Sequence, residues 1–296
     1  MRFAVMIEGQ EDVGWDDWLA LARACERLGI EALFRSDHYL SVEGADGLGA
    51  LDAWGTICGL AAVTSTLRLG TLVSPATFRH PAVLAKLAVT ADHVSGGRIE
   101  LGMGTGWHDA EHRAFGFPGP SMDRLAEQVA VVDGLFRRGP FWFSGEHYVL
   151  EGVDALPKPV QSPLPLIMGG AAKRRGAALA ARYAAEYNVV HVTPEEAAAA
   201  RGRLRAACEA AGRDPDTLTF SLMHGLALGA DEAEADDRAR RLGGADGFVR
   251  GTPEQVVARL REYEAAGVER VFLQHLLFRD EAVLELLAAE VVPVFS

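Results

Sequence analysis

Short runs of consecutive apolar residues alternate along the chain with longer segments in which apolar residues recur at helical spacing. The apolar runs predict eight strands: Phe3–Ile7, Ala32–Arg35, Leu67–Val73, Ile99–Gly102, Leu166–Met168, Asn188–Val190, Leu218–Leu228 and Arg270–Gln274. The segments of helical spacing predict helices over Asp16–Leu28, Asp52–Val63, Pro81–Val94, Asp123–Arg137, Lys173–Tyr183, Pro194–Ala211, Asp231–Arg241, Pro253–Ala266 and Asp280–Val291. A strand followed by a helix is therefore the repeating unit of this chain.

Each predicted strand is apolar without interruption, which is typical of a parallel sheet whose faces are covered by helices. Eight strand–helix units in 296 residues favour closure of that sheet into a barrel. We therefore expect the α/β fold class, a (β/α)8 TIM barrel that forms one domain over residues 1–296. The segment 138–165, between strands four and five, breaks the alternation. Its aromatic run Phe141–Phe143, followed by the turn Ser144–Glu146, predicts an insertion with a small hairpin.

The balance of charge limits the partners that the chain can have. With 41 acidic and 29 basic residues, the formal net charge is −12. A protein that binds nucleic acid needs a basic face, so this charge argues against such a partner. No apolar run reaches the roughly 20 residues of a membrane span, and the first apolar run is too short for a secretory signal. We expect a cytoplasmic protein that binds neither nucleic acid nor membrane.

Polar residues that directly follow the strands of a TIM barrel are the ones that meet substrate. Strand two is followed by Ser36, Asp37, His38 and Tyr39, and an aspartate beside a histidine can orient or charge the imidazole. His38 is therefore a candidate acid/base, with Asp37 as its partner. The same pair of residues also fits a structural histidine that is held by hydrogen bonds.

Histidines cluster at the predicted strand ends, which raises the question of a metal site. These histidines are His38, His108, His191, His224 and His275. Metal-dependent barrel hydrolases place a His-x-His pair on strand one, whereas this chain has Ala4–Met6 there. Cys25, Cys58 and Cys208 lie far apart in apolar helical segments, and we expect buried, reduced thiols. The sequence therefore predicts no metal site.

Two glycine-rich loops are candidate phosphate sites. The loop Gly102–Trp107 begins like a dinucleotide fingerprint, but Trp107 stands in the place of the third glycine. The loop Gly169–Ala172 is the better candidate, because it directly opens a helix that starts with the three cations Lys173–Arg175. A phosphate can approach the backbone N–H groups of small residues, and the helix dipole and the cations attract it. A glycine pair that packs a helix beside solvated cations is the alternative.

Segments in the same order over nearly the whole chain resemble the bacterial-luciferase-like superfamily, most closely its branch of deazaflavin- and flavin-dependent oxidoreductases. The segments that carry this resemblance are Arg35–Tyr39, Leu69–Pro75, Phe78–Ala82, Ser95–Gly102, Gly106–His108, Glu111–Gly116, Pro157–Gln161 and Gly251–Glu254. The resemblance implies a TIM barrel with an insertion and an isoalloxazine-type ring at the C-terminal rim of the barrel. It also implies a non-prolyl cis peptide bond at Leu72–Val73. Asp37 and His38 match positions near the reactive edge of the ring.

The expected site has a cofactor part and a substrate part. The expected cofactor-binding residues are Thr71, Leu72, Val73, Thr105, Gly106, Gly169, Gly170, Ala171, Ala172, Lys173 and Arg174. The residues expected in the substrate pocket are Trp107, His108 and His191. Sugar-phosphate dehydrogenases of this branch carry a glutamate where this chain has Trp107. Apart from Lys173, this chain also has no lysine near the rim that could hold a sugar phosphate. The sequence therefore does not favour a sugar phosphate as substrate.

The resemblance leaves several functions open. The first is hydride transfer between coenzyme F420, a deazaflavin, and a small organic substrate, because the cations Lys173–Arg175 suit the carboxylates of its polyglutamate tail. The second is a monooxygenase that uses reduced FMN. A separate flavin or F420 reductase is an expected partner in either case. A non-catalytic flavin-binding protein and a metal-dependent hydrolase are less favoured, because the Asp37–His38 pair is present and the strand-one ligands are missing.

The helix predicted over Asp52–Val63 is apolar around much of its circumference. A helix outside a barrel needs only one apolar stripe, so the surplus suggests a partner. We therefore expect a homodimer.

Overall fold

The computed structural model of the protein describes residues 1–42, 47–244 and 247–295. Its strands are β1 (Arg2–Ile7), β2 (Ala32–Arg35), β3 (Arg68–Pro75), β4 (Ile99–Gly104), β5 (Phe141–Ser144), β6 (Val149–Val153), β7 (Leu166–Gly169), β8 (Glu186–Val190), β9 (Thr219–Leu228), β10 (Val249–Gly251) and β11 (Arg270–Gln274). Its α-helices are α1 (Trp15–Leu28), α2 (Ala53–Val63), α3 (Pro81–Ser95), α4 (Asp109–Phe115), α5 (Met122–Phe136), α6 (Arg174–Tyr183), α7 (Pro194–Ala210), α8 (Glu232–Arg241), α9 (Pro253–Ala265) and α10 (Glu281–Leu286). Short 3-10 or π turns cover Pro215–Thr217, Leu287–Val291 and Val292–Phe295.

Eight of these strands close into a parallel barrel. The order around the barrel is β1, β2, β3, β4, β7, β8, β9 and β11, and β11 pairs again with β1. Ala4 of β1 lies opposite Phe272 of β11 on one side and opposite Ala32 of β2 on the other. The closed ring of strands confirms the predicted TIM barrel.

Several helix ends are fixed by residues that the sequence shows directly. α1 ends before Gly29, which adopts the left-handed conformation with a φ of 71° that glycine tolerates best. α7 begins after Thr193, which forms a capping box with Glu196. The prediction placed Lys173 inside a helix, whereas the structure makes it the N-cap residue of α6.

One α-helix and one strand described by the structure are absent from the sequence prediction. α4 has 7 residues and follows β4, and β10 has 3 residues and extends the sheet beside the end of β9. Elements this short show no periodic pattern. The hairpin β5–β6 does lie within the segment 138–165, between the fourth and fifth barrel strands. Its Phe141 ring fits against α5 at Gly134, where a Cβ would lie 2.2 Å from that ring.

The inside of the barrel is apolar in its middle layer and charged at the N-terminal end of the strands. Arg270 is fully buried there, and its guanidinium bonds to Glu100 at 2.6 Å and to Glu186 at 3.2 Å. Burial opposes ionisation of Glu100, but the charges of Arg270 and Arg68 outweigh it and lower the pKa of that carboxyl. Burial raises the pKa of Glu186. These side chains fill the N-terminal end of the barrel interior, whereas a cavity lined by Glu8, His38 and Gln274 opens at the C-terminal rim.

The three cysteines are free thiols. Cys25 and Cys208 are buried, which confirms the prediction for them. The prediction is wrong for Cys58, which is half-buried because it lies toward the outer face of α2. Within the described ranges, no helix combines the length and the apolar character of a membrane span.

Candidate cofactor and substrate site

A cavity of about 610 Å³ opens at the C-terminal rim of the barrel, and residues from the ends of all eight barrel strands line it. We call one part of its surface the cofactor wall, which consists of Leu72, Val73, Gly104, Gly106, Gly169 and Gly170. We call another part the polar wall, which consists of Glu8, Asn188, His191 and Gln274. His38 and Trp107 also line the cavity.

The cofactor wall is built around an irregularity in β3. The Leu72–Val73 peptide bond is cis, as the resemblance implied, and the pairing with β4 shifts register just beyond Thr71. Across from it, a Cβ on Gly102 would lie 2.0 Å from the carbonyl oxygen of Thr71, and one on Gly104 would lie 2.5 Å from Val73. Thr71 is buried and donates to the carbonyl of Gly102 at 3.2 Å. Thr71 therefore supports the cofactor wall from within the sheet, whereas Leu72 and Val73 reach the cavity.

The turn after β4 presents small residues to the cavity. The Thr105 hydroxyl donates to the carbonyl of Gly106 at 3.0 Å. Gly106 has a φ of 81°, and a Cβ on it would approach the His112 ring to 3.1 Å, so conformation and space both favour glycine. Trp107 is 63% exposed, and its ring meets the ring of His38 edge-on, with centroids 5.6 Å apart. Trp107 therefore lies at the entrance of the cavity.

The loop Gly169–Ala172 leads from the cavity to the N-terminus of α6. Its first two residues line the cavity. Ala172 has a φ of 49°, and its buried N–H donates to the hydroxyl of Tyr187 at 2.9 Å. Arg203 of α7 donates to the carbonyl oxygens of Ala171 and Ala172 at 3.2 and 3.0 Å. Arg203 could not be predicted from the sequence, because nothing in α7 marks which of its arginines faces this loop.

The three cations predicted beside this loop are exposed but not equivalent. Lys173 is the N-cap residue of α6, and Arg174 is the first residue of that helix. Arg175 forms an ion pair with Asp123 at the start of α5. The cations near the loop are therefore Lys173, Arg174 and Arg203.

His38 is half-buried, and its partner is a glutamate of α4. Its Nδ1 lies 2.7 Å from Oε2 of the fully buried Glu111. The other carboxylate oxygen of Glu111 accepts the backbone N–H groups of Tyr39 and of Leu40, the latter at 3.2 Å. Burial opposes the charged form of His38, but the hydrogen bond and charge of Glu111 outweigh it and raise the pKa of the imidazole. This site residue was missed because only its place in the resemblance, and no local pattern, marked Glu111.

The sequence interpretation made Asp37 a partner that orients or charges His38, and the contacts of Asp37 favour the second role. Its Oδ2 accepts from the Ser74 hydroxyl at 2.7 Å and from the Arg79 guanidinium at 2.6 Å. Asp37 is buried and acts on His38 only through its charge. Consecutive side chains beyond a strand point in different directions, which separates this pair.

His108 completes a group around Glu111. Its Nδ1 lies 4.0 Å from Oε2 of Glu111, and that buried nitrogen has no hydrogen-bond partner among the described residues. One ligand atom from each of His38, His108 and Glu111 lies within 4.8 Å of the others, so this group could hold a metal ion. The hydrogen bond between His38 and Glu111 accounts for their closeness without an ion. The absence of a metal site stays a prediction.

Hydrogen bonds connect most side chains of the polar wall with one another and with the residues behind them. Glu8 directly follows β1 and accepts from Nε2 of Gln274 at 2.6 Å and from Nε2 of Gln10 at 2.9 Å. Gln10 accepts from the hydroxyl of Ser36. Gln274 also hydrogen-bonds to His191, whose ring stacks on Phe248 with centroids 5.9 Å apart.

Two of the five rim histidines lie in the core. His224 and His275 are buried, and burial, the largest influence on each, lowers the pKa of both imidazoles to about 4. The His224 ring contacts the ring of His191 with centroids 5.1 Å apart. Of the five histidines, His38 and His191 therefore line the cavity, and the other two buried rings are neutral core residues. His108 was expected in the substrate pocket, but it lies beside Glu111 and is not among the described residues that line the cavity.

The fold and the site define a TIM barrel with a small-molecule cavity at its C-terminal rim. Residues 1–250 match the model of a family described as luciferase-like monooxygenase. Because this match covers most of the chain, the protein belongs to the luciferase-like monooxygenase family.

Known relatives support this membership. The chain is 32% identical over 226 residues to the pyrimidine monooxygenase RutA of Stutzerimonas stutzeri, a match that covers 73% of this chain and 59% of that protein. It is also 32% identical over 200 residues to the RutA of Cronobacter sakazakii, covering 64% of this chain and 56% of that protein. The chain thus spans less than two thirds of the length of these curated relatives.

Solved structures share the fold over the whole chain. The coenzyme F420-dependent tetrahydromethanopterin reductase of Methanopyrus kandleri has a TM-score of 0.84 at 22% identity, covering 100% of this chain and 99% of that chain. The monooxygenase RslO1 of Streptomyces bottropensis has a TM-score of 0.84 at 24% identity, covering 100% of both chains. At these identities the similarity concerns the fold alone.

Proposed function

We propose that the protein is an oxidoreductase that binds a flavin-type ring on the cofactor wall and uses His38 to move a proton to or from a small organic substrate. The observation that carries this proposal is the His38–Glu111 pair. It lies at a cavity whose neighbouring wall is lined by apolar and glycine residues. A histidine with one ring nitrogen held by a carboxylate is suited to acid/base work.

The cofactor wall fits a flat ring and its phosphate. Leu72 and Val73 offer an apolar surface, and the glycines of the wall leave backbone beside it uncovered. A Cβ on Gly169 would already lie 3.3 Å from Val73, so a larger residue would take up space that a ring needs. The loop that continues through Gly170 to the N-terminus of α6 suits a phosphate, which N–H groups and a helix dipole attract.

The chain supplies orientation and a proton, while a bound flavin or deazaflavin supplies the two-electron chemistry. Glu111 holds Nδ1 of His38, so Nε2 is the nitrogen left to accept a proton from a substrate hydroxyl or to return one. The charge of Glu111 stabilises the imidazolium that forms. The backbone N–H groups of Tyr39 and Leu40 keep the carboxylate in place.

Our first choice of cofactor is coenzyme F420, used for hydride transfer. Its tail carries several carboxylates beyond the phosphate, and Lys173, Arg174 and Arg203 lie beside the loop where that tail would begin. The net charge of the whole chain is −12, so cations here are a local exception. Arg175 contributes less than the sequence suggested, because Asp123 binds it.

The second candidate is a monooxygenase that uses FMN reduced by a separate enzyme. The similarity to a pyrimidine monooxygenase favours it, and by this similarity the substrate would be a pyrimidine-like ring. The same cofactor wall and the same His38–Glu111 pair serve either reaction.

Paired fluorescence titrations with F420 and FMN, at low and raised salt, test the choice. We expect F420 to bind more tightly than FMN and to weaken with salt, because exposed charge contacts are screened. His38→Ala should keep cofactor affinity while turnover falls by roughly 100-fold or more. Binding of FMN alone, with oxygen consumption when it is supplied reduced, would favour the monooxygenase. Failure to bind either cofactor would end the proposal.

The proposal includes a homodimer that forms through the outer face of α2. The residues on that face, from Gly55 to Val63, are small or apolar and carry no charge. A dimer is not required by the proposed chemistry.

A further inference from the structure

The polar wall carries hydrogen-bond acceptors that the proton transfer at His38 does not use. Each carboxylate oxygen of Glu8 accepts one hydrogen bond, from Gln274 or from Gln10. A carboxylate offers about four acceptor positions, so about two stay free. Because two amides hold the side chain, these free positions have a fixed orientation at the cavity surface.

Asn188 supplies a second acceptor on the same wall. Its side chain is fully buried, and its Nδ2 donates to the hydroxyl of Ser221 at 3.0 Å. Its Oδ1 has no hydrogen-bond partner within the described part of the chain. A buried carbonyl oxygen without a donor destabilises the protein, so a ligand that donates to it gains affinity.

The charge of the cavity surface points in the same direction. Of the described residues that line the cavity, none is lysine or arginine, and Glu8 alone carries a carboxylate. A substrate carboxylate beside Glu8 would meet a like charge, and no lysine or arginine among these lining residues would neutralise it. The stacked rings of His191 and Phe248 add a flat apolar flank beside these acceptors.

We infer that the substrate is a flat small molecule with N–H donors, of the amide, amidine or aromatic amine class, and that Glu8 selects it over carboxylates. This inference rests on the proposed function, since it takes the cavity as the substrate site. Glu8 and Asn188 are then the residues that determine specificity, each accepting from a different N–H group. His38 keeps its separate role on the neighbouring surface.

Three probes of nearly equal shape test the inference: benzamidine is a cation with donors, benzamide is neutral with donors, and benzoate is an anion without them. Isothermal titration calorimetry on the cofactor-loaded protein measures their affinities without turnover. We expect benzamidine and benzamide to bind roughly 10-fold or more tightly than benzoate, because hydrogen bonds to charged groups are among the stronger ones. Glu8→Gln keeps the shape and should weaken benzamidine roughly 10-fold or more.

Asp12→Asn is the matched control. Asp12 is exposed in the same loop and has a φ of 60°, a conformation that asparagine tolerates. The Asp12→Asn substitution removes a negative charge, as Glu8→Gln does, but at a position outside the cavity. It should change the affinity for each probe by no more than about twofold, because exposed charges are screened. Cofactor affinity and the thermal midpoint show that each variant is folded.

The outcomes separate this inference from the proposed function. A wild-type protein that binds neither cofactor contradicts the proposed function. Intact cofactor binding with benzoate bound as tightly as the other probes, with no probe bound, or with benzamidine bound as tightly by Glu8→Gln as by the wild type overturns the substrate class alone.

Discussion

His38 and Glu111 each stabilise the charged form of the other. Burial disfavours both charges, yet the hydrogen bond of 2.7 Å between them raises the pKa of His38 and lowers that of Glu111. The backbone N–H groups of Tyr39 and Leu40 add to the second effect. The pair is therefore suited to holding a proton on the imidazole. The Glu111 carboxylate determines how tightly the imidazole binds that proton.

Glu111→Gln should lower the pKa of His38, because glutamine keeps the size of the side chain and removes its charge. The fall follows from the loss of a close opposite charge, which favours the charged form of the imidazole. A neutral imidazole would then persist to lower pH, so the acid limb of a kcat/KM profile should move to lower pH. An NMR pH titration of the His38 ring measures this without a substrate.

A His38 midpoint that is the same in both proteins would mean that Glu111 does not govern the protonation of His38.

At the scale of residues, the sequence could predict only the site residues that follow the end of a predicted strand. His38, Trp107 and the glycine pair were found because their position directly follows a predicted strand. Glu111 lies 73 residues from His38 along the chain, and no spacing rule links the two positions. Only the closure of the barrel, which brings α4 beside the end of β2, makes them neighbours.

At the scale of elements, the close approach of β3 and β4 shapes the cofactor wall. The pairing of the two strands shifts register between Thr71 and Ser74, and glycine at positions 102 and 104 leaves room for the atoms of β3 that face them. Gly102 is the tighter of the two, since the atom that a Cβ would meet is a backbone oxygen, which cannot rotate away.

Gly102→Ala should therefore destabilise the protein, by about 1–3 kcal/mol or more, the usual cost of overpacking a core. Gly202→Ala is the control, because Gly202 lies exposed in α7 with nothing within 4 Å of a new Cβ. That change should stabilise by up to about 1 kcal/mol, the difference in helix propensity. Urea unfolding of both variants measures the two effects. If Gly102→Ala left the free energy of unfolding unchanged, β3 would have to be able to move away from the new methyl group.

The long elements were predictable and the short ones were not. The long strands and helices showed enough of their apolar pattern in the sequence to predict the barrel. Gly29 and Thr193 marked the ends of two helices. α4 has 7 residues, too few to show a period, although it carries the partner of His38. A segment of this size acquires its structure from what it packs against rather than from its own pattern.

At the scale of the whole molecule, the outer helical layer is uneven. Val63 of α2 is 51% exposed and Val83 of α3 is 52% exposed. α2 and α3 pack against each other, so their outer residues belong to one side of the barrel. Charged residues are the usual covering for such a face, and α2 has none between Ala53 and Val63. A face of this composition is suited to contact with a second copy of the chain.

Light scattering at micromolar concentration should therefore give twice the mass of one chain, since a stable dimer needs to bury only about 1,200–2,000 Å² in total. Val63→Asp should weaken the dimer by roughly 100-fold, because it would bury an unpaired charge in the contact. Val160→Asp is the control, as Val160 is 52% exposed in the segment that follows the hairpin. That variant should keep the mass of the wild type. A monomeric wild type, or a dimer unaffected by Val63→Asp, would place this face of the barrel in solvent.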